Sequence, residues 1–134
     1  MGNGEQQLAS QHLIAVIDDD QSVRAALTNL LHSAGYKALS FAAAETFLVS
    51  DCLNTASCAI IDVSLKAMSG FELKEYLIRQ GHRMPVIFIS GNSSRAAMER
   101  ALQLGARAFL EKPIKADILL TQIRRATFAS GEQD

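Results

Sequence analysis

Short apolar runs alternate with segments of helical periodicity along the chain, and this alternation constrains the fold more than any other feature. The apolar runs are LIAVI at 13–17, YKALSF at 36–41, SCAIID at 57–62, PVIFIS at 85–90 and ARAFLE at 106–111. In the intervening segments apolar residues recur at three- and four-residue spacing, which is typical of one face of an amphipathic helix. Strands that alternate with helices predict an α/β fold of five βα units, with a parallel five-stranded sheet covered on both faces.

Five helices are expected in the segments that follow the strands. The first has apolar positions from Val23 to Ala34 and ends at Gly35, a residue suited to the left-handed conformation that closes helices. A shorter helix fits between Ala43 and Asp51. The other three are marked by apolar residues within 73–77, 97–102 and 119–126.

Polar residues stand at the ends of four of the five predicted strands. Asp18 and Asp19 follow the first strand, Asp62 ends the third, Ser90 ends the fourth and Lys112 follows the fifth. In an open parallel sheet, ligands bind at the carboxyl ends of the strands, near the point where the strand order reverses. We therefore expect these side chains to lie close together at one edge of the sheet.

The residue types at this edge indicate phosphoryl chemistry. Asp18, Asp19 and Asp62 would carry three negative charges if all were ionised, and like charges repel and raise one another's pKa. A Mg²⁺ ion, bound through carboxylate oxygens and water, would relieve that repulsion. A carboxylate beside Mg²⁺ and a lysine ammonium can attack a phosphoryl group, because the two cations neutralise the oxygens of the transition state. The predicted reaction is phosphoryl transfer onto an aspartate, with the Ser90 hydroxyl as a hydrogen-bond donor to the transferred group.

The third aspartate of the DDD run has a different expected role. Asp20 directly precedes the first predicted helix, which begins near Gln21 or Ser22, and it is suited to cap that helix. Ser69 is expected to cap the third predicted helix in the same way. Asp20 is therefore left out of the predicted magnesium site.

Size, charge and cysteine content limit the function classes open to the chain. Its 134 residues suffice for one domain, expected over residues 12–129, with tails at 1–11 and 130–134. A net charge of -1 argues against direct binding to nucleic acid or to a membrane surface, which needs a basic face. Cys52 and Cys58 lack metal-ligand spacing, and no secretory or membrane-spanning pattern is present, so a reducing cytoplasm is the expected location.

Four motifs in this order and spacing resemble one known family, the receiver domain of two-component response regulators. They are VIDDDQSVR, IIDVSLKAMSG, VIFISG and FLEKP, and the resemblance covers about residues 13–129. Within the family, the chain looks most like receivers that precede helix-turn-helix output domains in nitrogen-fixation-type regulators. The resemblance implies a doubly wound, flavodoxin- and CheY-like sheet with strand order 2-1-3-4-5.

The resemblance also implies a role for each acidic residue. Asp62 would be the phosphoacceptor. Asp19 and Asp62 would bind Mg²⁺ directly, together with the backbone carbonyl of Ser64, and Asp18 would hold a metal-bound water.

Further roles implied by the resemblance concern the phosphorylated state. Lys112 would pair with Asp62 and then with the phosphoryl group, and the Lys112–Pro113 peptide bond is expected to be cis. Ser90 would turn toward that group, and Phe109 occupies the position of the aromatic residue that swings inward behind the hydroxyl. The output surface would then change on the fourth and fifth strands and the fourth and fifth predicted helices.

The chain departs from the family pattern at one position near the site. Lys66 stands where the family usually has proline. The loop after Asp62 therefore loses a rigid residue and gains a cation, which affects the expected loop stiffness and phosphoryl lifetime but not the role of Asp62.

Two other functions remain open at this point. One is a phosphatase of the haloacid dehalogenase type, whose D-x-D-x-(T/V) motif is approached by Asp18, Asp20 and Ser22. That class needs a further acidic pair after the lysine, and between Lys112 and the predicted C-terminal tail at 130–134 only Asp117 is acidic. The other is a receiver that serves as a docking module without being phosphorylated.

The resemblance implies several partners. A sensor histidine kinase would supply the phosphoryl group, and the receiver would catalyse its own phosphorylation and dephosphorylation rather than turn over a metabolite. Its output would be a separate effector protein or a fused domain absent from this chain, and the sequence does not choose between these. A weak homodimer on phosphorylation is a further expectation.

Overall fold

The computed structural model describes residue 9 and residues 11–132, with side chains described as far as Phe128. The described strands are β1 (Leu13–Ile17), β2 (Lys37–Phe41), β3 (Cys58–Asp62), β4 (Val86–Ser90) and β5 (Ala108–Glu111). The described helices are α1 (Gln21–Ser33), α2 (Ala44–Leu48), α3 (Cys52–Thr55), α4 (Gly70–Arg79), α5 (Arg95–Gln103) and α6 (Ala116–Glu132). Most of the predicted N-terminal tail (1–8 and 10) and the last two residues of the predicted C-terminal tail (133–134) lie outside the described residues. The proposed domain boundaries at 12 and 129 stay predictions.

All five strands form one parallel sheet, which confirms the predicted fold. The strand order is β2-β1-β3-β4-β5, so the direction of winding reverses between β1 and β3. β1 pairs with β2 on one side, with Ile17 opposite Phe41, and with β3 on the other, with Ile17 opposite Ile61. The carboxyl ends of β1 and β3 therefore lie side by side at the switch point, where a ligand site is expected.

A separate apolar core covers each face of the sheet. In β1, Ile14 and Val16 pack on the face covered by α1 and α6, whereas Ala15 and Ile17 pack on the other face. Helices α2 to α5 cover that second face. Every residue of β3 and β4 is buried because helices lie on both sides of these strands, which explains why each strand is apolar up to its last residue.

The short helix predicted between Ala43 and Asp51 is confirmed as α2, and a further short helix, α3, follows it that the sequence did not predict. α2 ends at Leu48, and α3 begins at Cys52. The Ser50 hydroxyl and the Ser50 amide both donate to the carbonyl of Phe47, at 2.7 and 3.1 Å. Such local side-chain bonding competes with continued helix, and the Val49 side chain, which is 87% exposed, gains nothing from burial.

The two predicted helix caps and the predicted cis bond are confirmed. The Asp20 carboxylate accepts from the amides of Ser22 and Val23 at the start of α1. Ser69 and Glu72 form a reciprocal capping box at the start of α4. The Lys112–Pro113 peptide bond is cis. Among the described residues, no helix combines the length and apolar character that a membrane span requires.

Candidate phosphoryl and metal site

The carboxyl edge of the sheet brings together the polar residues that the sequence placed at strand ends. Asp18 directly follows β1, Asp62 and Ser90 are the last residues of β3 and β4, and Lys112 directly follows β5. Asp18, Asp62 and Ser90 are buried, with at most 3% of their surface exposed. Buried polar side chains at a strand end are costly unless they are paired or used, so this edge is the candidate functional site.

Three carboxylates form the centre of the site. Oxygen atoms of Asp18, Asp19 and Asp62 all lie within 4.8 Å of one another, and Asp19 is the most exposed of the three. Asp18 is held from two directions. Its Oδ1 accepts from the Asp20 amide at 2.8 Å, and its backbone carbonyl accepts from Nη1 of Arg24 at 2.6 Å. The β1–α1 turn thus fixes the position of this fully buried carboxylate.

Lys112 contacts two of the carboxylates. Its Nζ lies 2.9 Å from Asp18 Oδ2 and 3.5 Å from Asp62 Oδ1, so the nearer acid is Asp18 and not the Asp62 expected from the sequence. Burial alone would lower the pKa of the ammonium. The contact with Asp18 and the negative charge of Asp62 outweigh that effect and raise the pKa above its usual value. Lys112 therefore stays positively charged in the site.

Asp62 sits in an environment that disfavours its charge. Burial raises its pKa first, and the neighbouring charge of Asp18 raises it further. The Ser64 amide, which donates to Asp62 Oδ1 at 3.3 Å, and the Lys112 ammonium only partly offset these effects. Any positive charge added near Asp62 would therefore stabilise the ionised form of this carboxylate.

The residues of the site fit a hard divalent cation. The site holds three carboxylates and one lysine, which contacts two of them, so an excess of negative charge is left. Asp18 Oδ2 is also buried, and it faces the Lys112 ammonium at 2.9 Å. Oxygen donors grouped in this way are the ligands Mg²⁺ takes, usually with several waters. The proposed contribution of the Ser64 carbonyl stays a prediction.

Ser90 lies at the edge of the site but is turned into its own loop. Its hydroxyl donates to the backbone carbonyl of Asn92 at 2.8 Å and accepts from the Asn92 amide at 3.0 Å. The backbone carbonyl of Ser90 also accepts from the Lys112 amide at 2.8 Å. In this arrangement the Ser90 hydroxyl is occupied by the loop that leads into α5.

Phe109 lies on β5, opposite Phe88 of β4. It is partly buried and packs against the core on the α2–α5 face of the sheet. This position, one strand away from Ser90, is compatible with the predicted aromatic switch, and that role stays a prediction.

The loop between β3 and α4 is tightly built behind Asp62. A Cβ atom on Gly70 would stand 2.3 Å from the carbonyl oxygen of Asp62 and 2.9 Å from Val63 Cα, so only glycine fits there. Ala67 in the same loop has a positive φ of 59°. Lys66 is exposed and makes no hydrogen bond or ion pair with any described residue.

Sequence reasoning missed three residues that shape the site. Arg24 holds the carbonyl of Asp18, and the Ser93 hydroxyl donates to the carboxylate of Glu111 between the β4–α5 loop and the end of β5. Arg24 ends the VIDDDQSVR motif and Glu111 precedes Lys112 in FLEKP, so both were within quoted motifs. Their contacts depend on loop geometry, which cannot be predicted from the periodicity of apolar residues or from the positions of strand ends.

Known proteins are similar to this chain in sequence and fold. The response regulator receiver domain family matches residues 14–124. Nodulation protein W of Bradyrhizobium diazoefficiens is 34% identical over 124 residues, which are 92% of this chain and 55% of that protein. The transcriptional regulatory protein FixJ of Azorhizobium caulinodans is 34% identical over 120 residues, 90% of this chain and 57% of that protein.

Solved structures agree with the sequence relatives. The response regulator StyR superposes with a TM-score of 0.84 and 35% identity, and the match covers 92% of this chain and 62% of that one. The chain spans just over half the length of the curated relatives named above.

Proposed function

This chain belongs to the receiver-domain family of two-component response regulators, and from that premise we propose that it is a phosphorylation switch whose acceptor is Asp62. The observation that supports the proposal best is the meeting of Asp18, Asp19 and Asp62 with Lys112 at the switch point of the sheet. These side chains come from three strand ends, those of β1, β3 and β5, and together they match what an aspartyl phosphoryl transfer requires.

The proposed reaction is a displacement at phosphorus by the Asp62 carboxylate. One carboxylate oxygen forms a bond to the phosphorus of a phosphohistidine or an acyl phosphate. The bond from phosphorus to the donor breaks, and the electron pair leaves with the donor. Lys112 is placed to neutralise the phosphoryl oxygens, since its ammonium already faces Asp62 Oδ1 at 3.5 Å.

Mg²⁺ is the proposed cofactor. Asp19, Asp62 and the Ser64 carbonyl would hold it directly and Asp18 through a water, and it would supply charge neutralisation for the transferred group. The hydrogen bond from Arg24 to the carbonyl of Asp18 keeps the first carboxylate in place for this purpose.

The proposed switch couples the site to a surface. Ser90 leaves its turn and donates to the phosphoryl group, and Phe109 follows into the space behind it. The affected surface is formed by β5, α5 and α6, the last two being the fourth and fifth helices predicted from the sequence. Met98, Leu102 and Ile118 on α5 and α6 are 50%, 78% and 42% exposed, which gives this surface apolar side chains for a partner.

The proposed partners follow from the family. A cytoplasmic sensor histidine kinase donates the phosphoryl group, and an effector protein or a fused output domain responds. The greater length of the named relatives favours a fused output. A weak homodimer on phosphorylation is part of the proposal. Cys52 and Cys58 are both free and buried, on opposite faces of the sheet, as is typical of thiols in a reducing compartment.

Acetyl phosphate with Mg²⁺ tests the acceptor. The parent chain should gain the mass of one phosphoryl group, Asp62→Asn should gain none, and Asp18→Asn should be modified slowly but at Asp62. Peptide mapping after borohydride reduction locates the acyl phosphate.

Two outcomes would contradict the proposal. A phosphorylated Asp62→Asn variant together with an inert Asp18→Asn variant would move the nucleophile to Asp18, as a haloacid dehalogenase-type phosphatase requires. A parent chain that gains no phosphoryl group from acetyl phosphate or from any phosphorylated kinase would favour a docking module.

A further inference from the structure

The β4–α5 loop (residues 91–94) is held closed by side-chain hydrogen bonds. Ser90 closes a turn onto Asn92, and Ser94 caps α5 by accepting from the Ala97 amide at 3.1 Å. Between these two contacts lies Ser93, whose hydroxyl donates to Oε2 of Glu111. Among the described residues, this is the one side-chain hydrogen bond that joins the loop to an element other than β4 and α5, which flank it.

Glu111 is well placed to control Ser90. It is the last residue of β5 and lies opposite Ser90 in the sheet register. The next residue, Lys112, donates its amide to the Ser90 carbonyl at 2.8 Å, so the end of β5 and the start of the loop are already joined at the backbone. The bond from Ser93 to Glu111 adds a second connection three residues further along the loop.

The second connection opposes the movement that phosphorylation needs. For its hydroxyl to reach a phosphoryl group on Asp62, Ser90 has to give up both hydrogen bonds to Asn92. That opens the turn and shifts the residue after it, Ser93, away from its present position. The hydrogen bond from Ser93 to Glu111 is lost or distorted in the process, so it stabilises the closed turn.

We propose that Glu111 is a positioning residue that, by holding Ser93, keeps Ser90 turned onto Asn92 and favours the unphosphorylated arrangement. The inference rests on the proposed phosphorylation of Asp62 and adds to it a specific restraint on the equilibrium between the two arrangements. A ligand that mimics the phosphoryl group has to overcome this restraint, so removing it should tighten binding.

Beryllofluoride with Mg²⁺, titrated by calorimetry, measures this restraint. Glu111→Ala and Ser93→Ala should each bind the phosphoryl mimic about three- to tenfold more tightly than the parent, the range for one hydrogen bond with a charged acceptor at a partly exposed site. The double variant should bind no more tightly than either single variant, because both substitutions remove the same hydrogen bond.

Two conservative variants separate the hydrogen bond from other effects. Glu111→Gln removes the negative charge but keeps an acceptor oxygen, and Ser93→Thr keeps the hydroxyl. Both should bind beryllofluoride like the parent. A purely structural role would lower the melting temperature without tightening binding, so thermal unfolding is measured on every variant.

Several results would overturn the inference. Unchanged or weaker binding by both alanine variants would exclude a restraint. Equal tightening by Glu111→Ala and Glu111→Gln, with no effect of Ser93→Ala, would assign the effect to charge alone. A parent that does not bind beryllofluoride, or an Asp62→Asn variant that binds it equally well, would refute the proposed function and this inference together.

Discussion

Gly70 makes the closest backbone approach in the site loop, at the point where α4 begins behind Asp62. In Gly70→Ala the new Cβ would meet the Asp62 carbonyl oxygen at 2.3 Å, and backbone atoms cannot move aside as a flexible side chain can. We expect a loss of about 1–3 kcal/mol in the free energy of unfolding, measured in urea. Gly91→Ala is the matched control, because nothing lies within 4 Å of a Cβ at that position. Equal stability of the two variants would show that the backbone between β3 and α4 can shift to accommodate the new Cβ without a loss of stability.

Ala67 adopts a left-handed backbone conformation that alanine tolerates poorly. Its φ of 59° brings Cβ close to the backbone, whereas asparagine occupies this region more readily. Ala67→Asn should therefore raise the free energy of unfolding by about 0.5–1 kcal/mol. The same substitution at Ala42, an exposed loop residue whose φ is not positive, should bring no gain. A gain at Ala42 as large as the gain at Ala67 would argue against relief of strain.

At the residue scale, the sequence predicts which groups meet but not how they are held. Asp18, Asp62 and Ser90 were found because a parallel sheet brings its strand ends to one edge, whatever the side-chain conformations. The contact from Arg24 to the Asp18 carbonyl and the positive φ of Ala67 depend on the path of a particular turn. Short-range patterns do not fix those paths, so these details required the structure.

At the scale of single elements, α4 carries a lysine on its buried face. Lys74 lies among Gly70, Leu73 and Leu77 at helical spacing and is only 7% exposed. Its ammonium makes no hydrogen bond or ion pair with any described residue, and burial lowers its pKa. The ammonium still reaches water at the end of its buried stem, so Lys74→Leu should raise the free energy of unfolding by less than about 1 kcal/mol at neutral pH, because it removes a charge that is only partly shielded.

The pH dependence of this gain has a definite sign. The folded-state pKa of Lys74 lies below the unfolded value, so between the two the unfolded chain binds more protons, and the stability of the parent rises with pH. The advantage of Lys74→Leu should therefore be full at neutral pH and shrink as the pH approaches the ordinary lysine value of 10.5. Urea unfolding at both pH values tests this, with the exposed Lys115→Leu as control. A gain that does not change with pH would assign the effect to packing.

Predictability at this scale depended on how deeply each element is buried. β3 and β4 were clear from their sequences because burial on both faces demands unbroken apolar runs. The short helix between Ala43 and Asp51 was predicted because it buries Ala44 and Phe47, whereas the hydrogen bond from Ser50 to Phe47 that follows its end, and the separate helix α3 after it, were not. Local side-chain hydrogen bonds such as this one decide where a short helix ends, and the periodicity of apolar residues does not report them.

At the scale of the whole molecule, the three aspartates of the DDD run have two proposed functions. Asp18 and Asp19 belong to the magnesium site, and Asp20 caps α1, so Mg²⁺ should distinguish them. A ligand that binds the folded state and not the unfolded one stabilises it by about 1.4 kcal/mol at a free concentration ten times the dissociation constant. Mg²⁺ should raise the melting temperature of the parent through the Asp18, Asp19 and Asp62 cluster. Asp19→Asn, which removes one of the proposed ligands, should lose most of that response.

Asp20→Asn is the decisive control for the magnesium effect, because it changes the neighbouring aspartate by the same chemistry. Asp20 caps α1 through the amides of Ser22 and Val23, and asparagine caps helices about as well as aspartate. This variant should keep both the stability of the parent and its full response to Mg²⁺, measured at constant ionic strength. If Asp19→Asn and Asp20→Asn lose the response equally, Mg²⁺ acts on the general negative charge of the edge. If only Asp19→Asn loses it, the ion is held by a specific site of which Asp20 is no part.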